Sequence, residues 1–265
     1  MSEQTSSAQQ GESARQEPRV RDGRCIVVFG TKGGVGKTAV AVNLAVSLAE
    51  YSRRPVCLVD LDTVATGDVE KMLGLSPQRA VSELAPLLRR PEPPTHLPLD
   101  EVILTHSSGI HVVPCLLNPR HGASLEPALL SLLFSTLRAR YDYVVVDGGK
   151  GLTDTLLSAF DEANLVLLVA TPDVIALYQT KWAMNIIESL LFPANMVKGV
   201  LNRAESRGGV GSQEAMLAIP CEVIGQIPSD GRAMGIAINE GIPVVNLYGM
   251  SKIAGAFRRL AQRIV

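Results

Sequence analysis

The sequence predicts an α/β fold with a doubly wound, mostly parallel sheet that has helices on both faces. Seven short apolar runs alternate with longer helical stretches, and the runs are apolar throughout rather than at every second position. Such uninterrupted runs are typical of parallel strands that are covered on both faces. Repeated βα units of this kind build open, doubly wound sheets.

The predicted elements follow one another along the chain. Strands are predicted over Cys25–Phe29, Val56–Leu61, Ile110–Pro114, Tyr143–Asp147, Leu165–Ala170, Val197–Leu201 and Glu222–Ile227. Helices are predicted over Gly36–Glu50, Ser124–Arg140, Asp173–Leu191 and Lys252–Ile264.

The composition sets the expected domain limits. Residues 1–24 are rich in Ser, Gln, Glu and Arg and poor in apolar residues, so we expect a disordered tail there. Residues 25–265 are expected to form a single domain, because a chain that is 46% hydrophobic has ample material for one core.

Charge and cysteine usage argue against several classes of protein. A net charge of −1 argues against a strongly basic surface for nucleic acid, so DNA is not an expected partner. The four cysteines are widely spaced, which fits neither a disulfide framework nor a metal site. The sequence shows no apolar run of membrane-spanning length and no signal-peptide pattern, so we expect a cytoplasmic protein.

The segment between the first predicted strand and helix, Gly30–Thr38, has the pattern of a phosphate-binding loop. It reads Gly-Thr-Lys-Gly-Gly-Val-Gly-Lys-Thr. Its glycines let backbone N–H groups face phosphate oxygens, and the helix that follows adds its positive dipole end. Lys37 is expected to reach the β- and γ-phosphates, and the Thr38 hydroxyl to ligate magnesium. The predicted ATP-binding residues are Gly33, Gly34, Val35, Gly36, Lys37, Thr38 and Ala39.

Three aspartates follow or end predicted strands, at the edge where open α/β sheets bind ligands. Asp60 and Asp62 share one face of an extended segment, and Asp147 ends an apolar run of the Walker B type. We predict that Asp60 and Asp147 join Thr38 in holding Mg²⁺, directly or through water. Capping or turn roles are the alternative.

The loop carries an additional lysine, Lys32, that an ordinary phosphate-binding loop does not require. The pattern Lys-Gly-Gly-Val-Gly-Lys-Thr over residues 32–38 resembles the deviant Walker A loop of the MinD/ParA family of ATPases. In that family the early lysine crosses a dimer interface to the partner's nucleotide. The resemblance implies that Lys32 acts in trans within an ATP-dependent homodimer, as a catalytic residue beside Lys37. The alternative is a solvated loop lysine.

The resemblance extends to two further loops. The Asp-Leu-Asp segment matches the family's switch I, which implies that Asp62 positions the attacking water. Asp147–Gly151 aligns with the family's Asp-x-Pro-Ala-Gly and is called the switch II segment below. Gly151 keeps the place of the glycine whose N–H approaches the γ-phosphate, whereas Gly149 and Lys150 replace Pro-Ala.

The late segments resemble the family's base pocket. The resemblance lies in the strand end before Arg203 and in the Pro-Ser-Asp loop. It implies that Asn202 forms a hydrogen bond with the adenine and that Pro228 packs against the base. Ordinary turn chemistry is the alternative reading. Ala39 stands where the family usually has Thr or Ser, and losing that contact with the α-phosphate should weaken binding by roughly 1 kcal/mol.

Other segments bear on the branch of the family and on partners. Gly67–Leu75, Ser108–Pro114 and Thr171–Asp173 look most like the CpaE/TadZ branch, which places pilus or secretion machinery, although flagellar-number regulators share some features. We therefore expect a protein partner in a polar, pilus or secretion machine. The basic, amphipathic stretch Lys252–Val265 is interpreted as the last core helix, and its pattern would also permit reversible contact with the inner membrane.

The main functional hypothesis is a slow, Mg²⁺-dependent ATP hydrolase that acts as an ATP-dependent dimerisation switch. Three alternatives stay open at this point. The altered switch II segment and Ala39 motivate a pseudo-ATPase docking scaffold. A metabolic enzyme with a phosphate-binding loop and a ParA-type DNA-partitioning ATPase are the others.

Overall fold

The computed structural model describes residues 22–206 and 208–265, and eight strands of that part form one sheet. The strands are β1 (Arg24–Phe29), β2 (Val56–Asp60), β3 (Leu104–Thr105), β4 (His111–Pro114), β5 (Tyr143–Asp147), β6 (Leu165–Ala170), β7 (Val197–Asn202) and β8 (Val223–Ile227). Their order is β3-β4-β2-β5-β1-β6-β7-β8. Every neighbouring pair is parallel except β3 and β4. The predicted fold class is confirmed.

The described helices cover both faces of this sheet. They are α1 (Lys37–Ser52), α2 (Asp68–Met72), α3 (Pro127–Arg140), α4 (Asp154–Asp161), α5 (Val174–Ser189), α6 (Ser212–Ala218), α7 (Gly231–Glu240), α8 (Val244–Leu247) and α9 (Lys252–Ile264). Three 3-10 helices span Val81–Arg89, Pro119–Ser124 and Ala194–Met196. The sequence predicted α1, α3, α5 and α9. It missed the shorter helices and β3, because elements of so few turns or residues leave little periodicity to detect.

Alternate residues of β1 face two separate hydrophobic clusters, one on each side of the sheet. Ile26 and Val28 pack with residues of α1 and α9. Val27 and Phe29 pack with residues of α3, α4 and α5. This double coverage is why the strands read as uninterrupted apolar runs.

The apolar face of α9 is part of the core. Ile253, Phe257, Leu260 and Ile264 are all buried, and α9 packs against α1 and β8. This packing agrees with the interpretation of the stretch as a last core helix, and it leaves the apolar face of α9 unavailable for the membrane contact that the sequence would also permit. None of the described helices is long and apolar enough to cross a bilayer.

Most of the predicted tail, residues 1–21, lies outside the described residues. Its last residues do have structure: the Gly23 N–H donates to the Arg138 carbonyl, and Arg24 begins β1. Gly23 and Arg24 are therefore part of the described fold, while the assignment of residues 25–265 to a single domain stays a prediction.

Candidate nucleotide-binding site

The register of the sheet places the phosphate-binding loop beside the buried aspartates. Asp60 at the end of β2 lies opposite Asp147 at the end of β5. Asp147 in turn lies opposite Val28 of β1, two residues before the loop begins at Gly30. The convergence predicted from the strand ends is what the structure shows.

The phosphate-binding loop turns tightly into α1. Gly34 and Gly36 have φ values of 79° and 92°, in the left-handed region that favours glycine. A Cβ atom at Gly36 would also lie 2.4 Å from Asn202 Nδ2, so a side chain has no room there. The buried Lys37 donates from Nζ to the Lys32 carbonyl at 3.2 Å, which closes the loop around its own lysine.

The predicted binding residues divide between two cavities. The main cavity, of about 740 Å³, is lined by Gly34, Gly36, Lys37, Thr38, Ala39, Asp62, Asn202 and Pro228. The side cavity, of about 250 Å³, is lined by Lys32, Gly33, Gly34, Val35 and Asp173. Gly151 is not among the residues that line either cavity. Most of the residues predicted to bind the nucleotide therefore line the main cavity. The sequence did not predict that Lys32 lines the side cavity instead.

Asp147 is a buried carboxylate, and one of its two oxygens has no hydrogen-bond partner among the described residues. Oδ1 accepts a hydrogen bond from the Gly149 N–H at 3.4 Å, while Oδ2 is buried without a partner among the described residues. Burial raises the pKa of Asp147 to about 6, although the nearby Thr38 hydroxyl and the Gly149 N–H act to lower it. A free carboxylate oxygen beside a threonine hydroxyl is a donor set that fits Mg²⁺.

Asp60 braces the loop that follows β2. Oδ1 accepts from the Asp62 N–H at 3.0 Å, and Oδ2 accepts from the Gly67 N–H at 3.2 Å. Burial raises the pKa of Asp60 well above its ordinary value, and the carboxylates of Glu70 and Asp147 raise it further. Both oxygens of Asp60 accept hydrogen bonds from backbone N–H groups, whereas Oδ2 of Asp147 does not, so Asp147 is the more available metal ligand. A metal-binding role for Asp60 stays a prediction.

Glu70 of α2 is a site residue that the sequence reasoning missed. The residue is 1% exposed, its carboxyl interacts with that of Asp60, and neither of its oxygens accepts a hydrogen bond from an N–H or hydroxyl group of the described residues. Burial raises the pKa of Glu70. Its only sequence signal was an acidic residue between the apolar Val69 and Met72, and such a residue is usually exposed.

The switch II segment touches the loop after β2 at Asp62. Asp62 Oδ1 accepts from the N–H groups of Val64 and Ala65 at 2.8 and 2.9 Å. Gly149 has a φ of 64°, and a Cβ atom there would lie only 2.6 Å from the Asp62 Cα. Proline, which fixes φ near −65°, could not adopt this backbone. The departure from the Pro-Ala pattern thus has a structural basis: glycine permits this close contact.

Lys32 is held within its own chain by the residue that caps α5. Its Nζ donates to Asp173 Oδ1 at 2.7 Å, and the Thr171 hydroxyl donates to Asp173 Oδ2 at 2.6 Å. Asp173 Oδ1 also accepts from the Ala176 N–H, as an N-cap does. Partial burial raises the pKa of Asp173, but these hydrogen bonds, led by that from Lys32, outweigh burial and lower it to about 2.

Asn202 ties the end of β7 to the phosphate-binding loop. Its Nδ2 donates to the Val35 carbonyl at 2.7 Å, and its Oδ1 accepts from the Arg203 N–H at 2.9 Å. Arg203 itself has a left-handed φ of 53°. These contacts show Asn202 positioning the loop, and its contact with adenine stays a prediction, as does that of Pro228.

With this geometry in place, comparison with known proteins decides the family. The family model described as ParA, NUBPL iron-transfer P-loop NTPase, matches residues 22–265. The chain belongs to the ParA/MinD family of P-loop NTPases. The family prediction made from the sequence is confirmed, while assignment to the CpaE/TadZ branch stays a prediction.

Named relatives of this ParA/MinD-family chain span most of its length. Antiactivator FleN of Pseudomonas aeruginosa is 30% identical over 251 residues, covering 90% of this chain and 85% of that protein. Septum site-determining protein MinD of Thermotoga maritima is 27% identical over 249 residues, covering 91% and 88%. The structure of MinD from Pyrococcus horikoshii, complexed with Mg-ADP, is 26% identical with a TM-score of 0.76, covering 91% and 95%.

Proposed function

We propose that this chain is a slow, Mg²⁺-dependent ATPase that forms a homodimer when ATP is bound and releases its partners after hydrolysis. The observation that carries the proposal is the position of Lys32. Its side chain lies in the side cavity with Asp173, whereas Lys37, Thr38 and Asp62 line the main cavity. Because the Lys32 side chain lies outside the main cavity of its own chain, we propose that it contacts the nucleotide bound to a second subunit.

The nucleotide part of the proposal is supported by the geometry of the loop and by the Mg-ADP complex of the Pyrococcus relative. Thr38 and Asp147 would hold Mg²⁺, which when bound neutralises charge on the β- and γ-phosphates. Lys37 and the glycine backbone would hold the phosphates. Among the described residues of the site, the buried and unpartnered Oδ2 of Asp147 supports a cation beside Thr38.

The hydrolytic part of the proposal rests on Asp62. The carboxylate lines the main cavity and is fixed by two backbone N–H groups, so its position is defined before substrate arrives. In our proposal Asp62 orients the attacking water, and contact with Gly149 keeps it there. If instead the chain is a docking scaffold, wild-type protein and Asp62→Ala should release phosphate at the same background rate.

An exposed apolar stripe on α5 supports dimerisation. Val174, Ile175, Tyr178 and Trp182 are each at least 53% exposed and recur at helical spacing on one face. Contiguous exposed apolar surface marks interaction sites. Because the stripe begins directly after Asp173, the residue that holds Lys32, we assign it to a second copy of the chain. A two-fold dimer would bring the same surface from both copies together.

The expected cargo of the switch is a protein. Two relatives carry names that describe acting on other cellular components: an antiactivator and a septum site-determining protein. We propose a comparable role in positioning a polar, pilus or secretion machine. Recruitment to a cell pole or to the inner membrane would then come through that partner rather than through the buried face of α9.

The molar mass in solution, measured by light scattering with Mg-ADP and with Mg²⁺ and a non-hydrolysable ATP analogue, tests this proposal. We expect the 28.3 kDa monomer with ADP and a dimer with the analogue. Lys32→Ala and Trp182→Glu should both shift the analogue-bound protein toward monomer. Tyr51→Glu is the matched control, since Tyr51 is 51% exposed on another helix. A wild-type monomer in both states would contradict the proposal.

A further inference from the structure

Lys150 is a cation of the site that the proposed mechanism does not use. The residue is exposed and lines the main cavity together with Lys37, Thr38 and Asp62. Within the described part of the chain it makes no hydrogen bond and no ion pair. An unpaired lysine that lines a phosphate cavity calls for a ligand of opposite charge.

The backbone around Lys150 fixes where its side chain starts. Gly149 and Gly151 both have left-handed φ values, 64° and 80°, and they bend the switch II segment on either side of the lysine. Gly149 is in contact with Asp62, the residue proposed to orient water. Lys150 therefore lines the cavity directly after the residue that is in contact with Asp62.

Lys37 and Lys150 line the same cavity, so their charges face a shared space. Burial lowers the pKa of Lys37, and the nearby Lys150 lowers it further, while Asp147 and Asp62 raise it. Two lysine charges thus repel each other across one cavity. A phosphate group placed between them would convert this repulsion into two charge-assisted contacts.

We propose that Lys150 binds the γ-phosphate of ATP from within the same chain and makes the site discriminate ATP from ADP. The inference rests on the proposed nucleotide-binding function and adds a residue to it. Lys37 reaches both the β- and γ-phosphates, and Lys32 would come from the partner. Lys150 approaches from the Asp62 side, where ADP has no phosphate to offer it.

Equilibrium binding of Mg-ADP and of a non-hydrolysable Mg-ATP analogue, measured by calorimetry, tests the inference. Lys150→Ala should weaken the analogue by about tenfold and leave ADP affinity unchanged within about twofold, as expected for loss of one charge-assisted contact. Lys150→Arg should keep most of the discrimination. Lys71→Ala, which removes an exposed lysine outside the cavity lining, is the control and should change neither affinity.

The same titrations in a Lys32→Ala background separate phosphate contact from dimerisation. In that background too, Lys150→Ala should weaken the affinity for the analogue about tenfold and leave the affinity for ADP unchanged. Equal losses for both nucleotides, no loss, or tighter binding of the analogue would overturn the inference and leave the proposed function standing. Wild-type protein that binds neither nucleotide would overturn the proposed function and the inference with it.

Discussion

Gly149→Ala is expected to slow ATP hydrolysis by roughly 100-fold, because a Cβ atom at this position must displace Asp62, the residue that we propose orients the attacking water. The new Cβ would lie 2.6 to 2.8 Å from three atoms of Asp62, two of them in its side chain and one in its backbone. The left-handed φ of 64° adds strain for any residue with a side chain. Phosphate release at saturating ATP, with thermal unfolding measured on the same samples, checks this expectation.

Gly151→Ala is the matched control for this prediction. Gly151 lies in the same segment with a similar φ of 80°, but nothing lies within 4 Å of a Cβ atom built there. It should therefore show the cost of backbone strain, about 1 kcal/mol of unfolding free energy, without the displacement of Asp62. Equal rates of hydrolysis in the two variants would contradict the claim that contact with Asp62 sets the rate.

Asp147→Asn is expected to stabilise the nucleotide-free protein and to abolish Mg²⁺-dependent nucleotide binding. The folded protein raises the pKa of Asp147 from 3.8 to about 6, so the ionised carboxylate opposes folding. The penalty is absent below about pH 4, grows as the pH rises and is complete above about pH 6, where it amounts to roughly 3 kcal/mol. A neutral amide of the same shape removes that penalty, and with it the best candidate ligand for the metal.

Urea unfolding at pH 4 and at pH 8 measures this difference. The stability gain of Asp147→Asn should be large at pH 8 and nearly vanish at pH 4. Asp154→Asn, an exposed aspartate in the first turn of α4, should show no comparable gain. A variant that is less stable than wild type at both pH values, or that still binds nucleotide more tightly with Mg²⁺, would contradict the role of Asp147.

The sequence predicted the parts of the molecule whose signals are local. The limits of β5 and β6 agree with the prediction, and the other five predicted strands differ by one residue at an end. The loop Gly30–Thr38 was predicted because its glycines and Lys37 must occur at fixed spacing between a strand and a helix. The adjacency of Asp60 and Asp147 followed from parallel strands ending at one edge.

The contacts that the sequence did not reveal join loops that are far apart in the chain. The pair of Lys32 with Asp173 could not be foreseen, although Thr-x-Asp before a helical pattern is a capping signal. The burial of Glu70 depends on how α2 packs, and α2 is too short to be predicted. Amphipathic periodicity in α9 was real, but periodicity does not tell whether the apolar face meets a protein core or a membrane.

The proposed trans role of Lys32 is tested most directly by mixing two variants that are each expected to be inactive. Lys32→Ala and Asp62→Ala proteins are combined in equal amounts with Mg-ATP, and phosphate release is compared with that of each variant alone. If Lys32 serves the partner's nucleotide, a mixed dimer has one complete site. At protein concentrations high enough for the Lys32→Ala variant to pair despite its weaker dimerisation, about one quarter of wild-type activity should then return when subunits pair at random. If Lys32 serves only its own chain, neither subunit is complete and no activity returns, which would contradict the account.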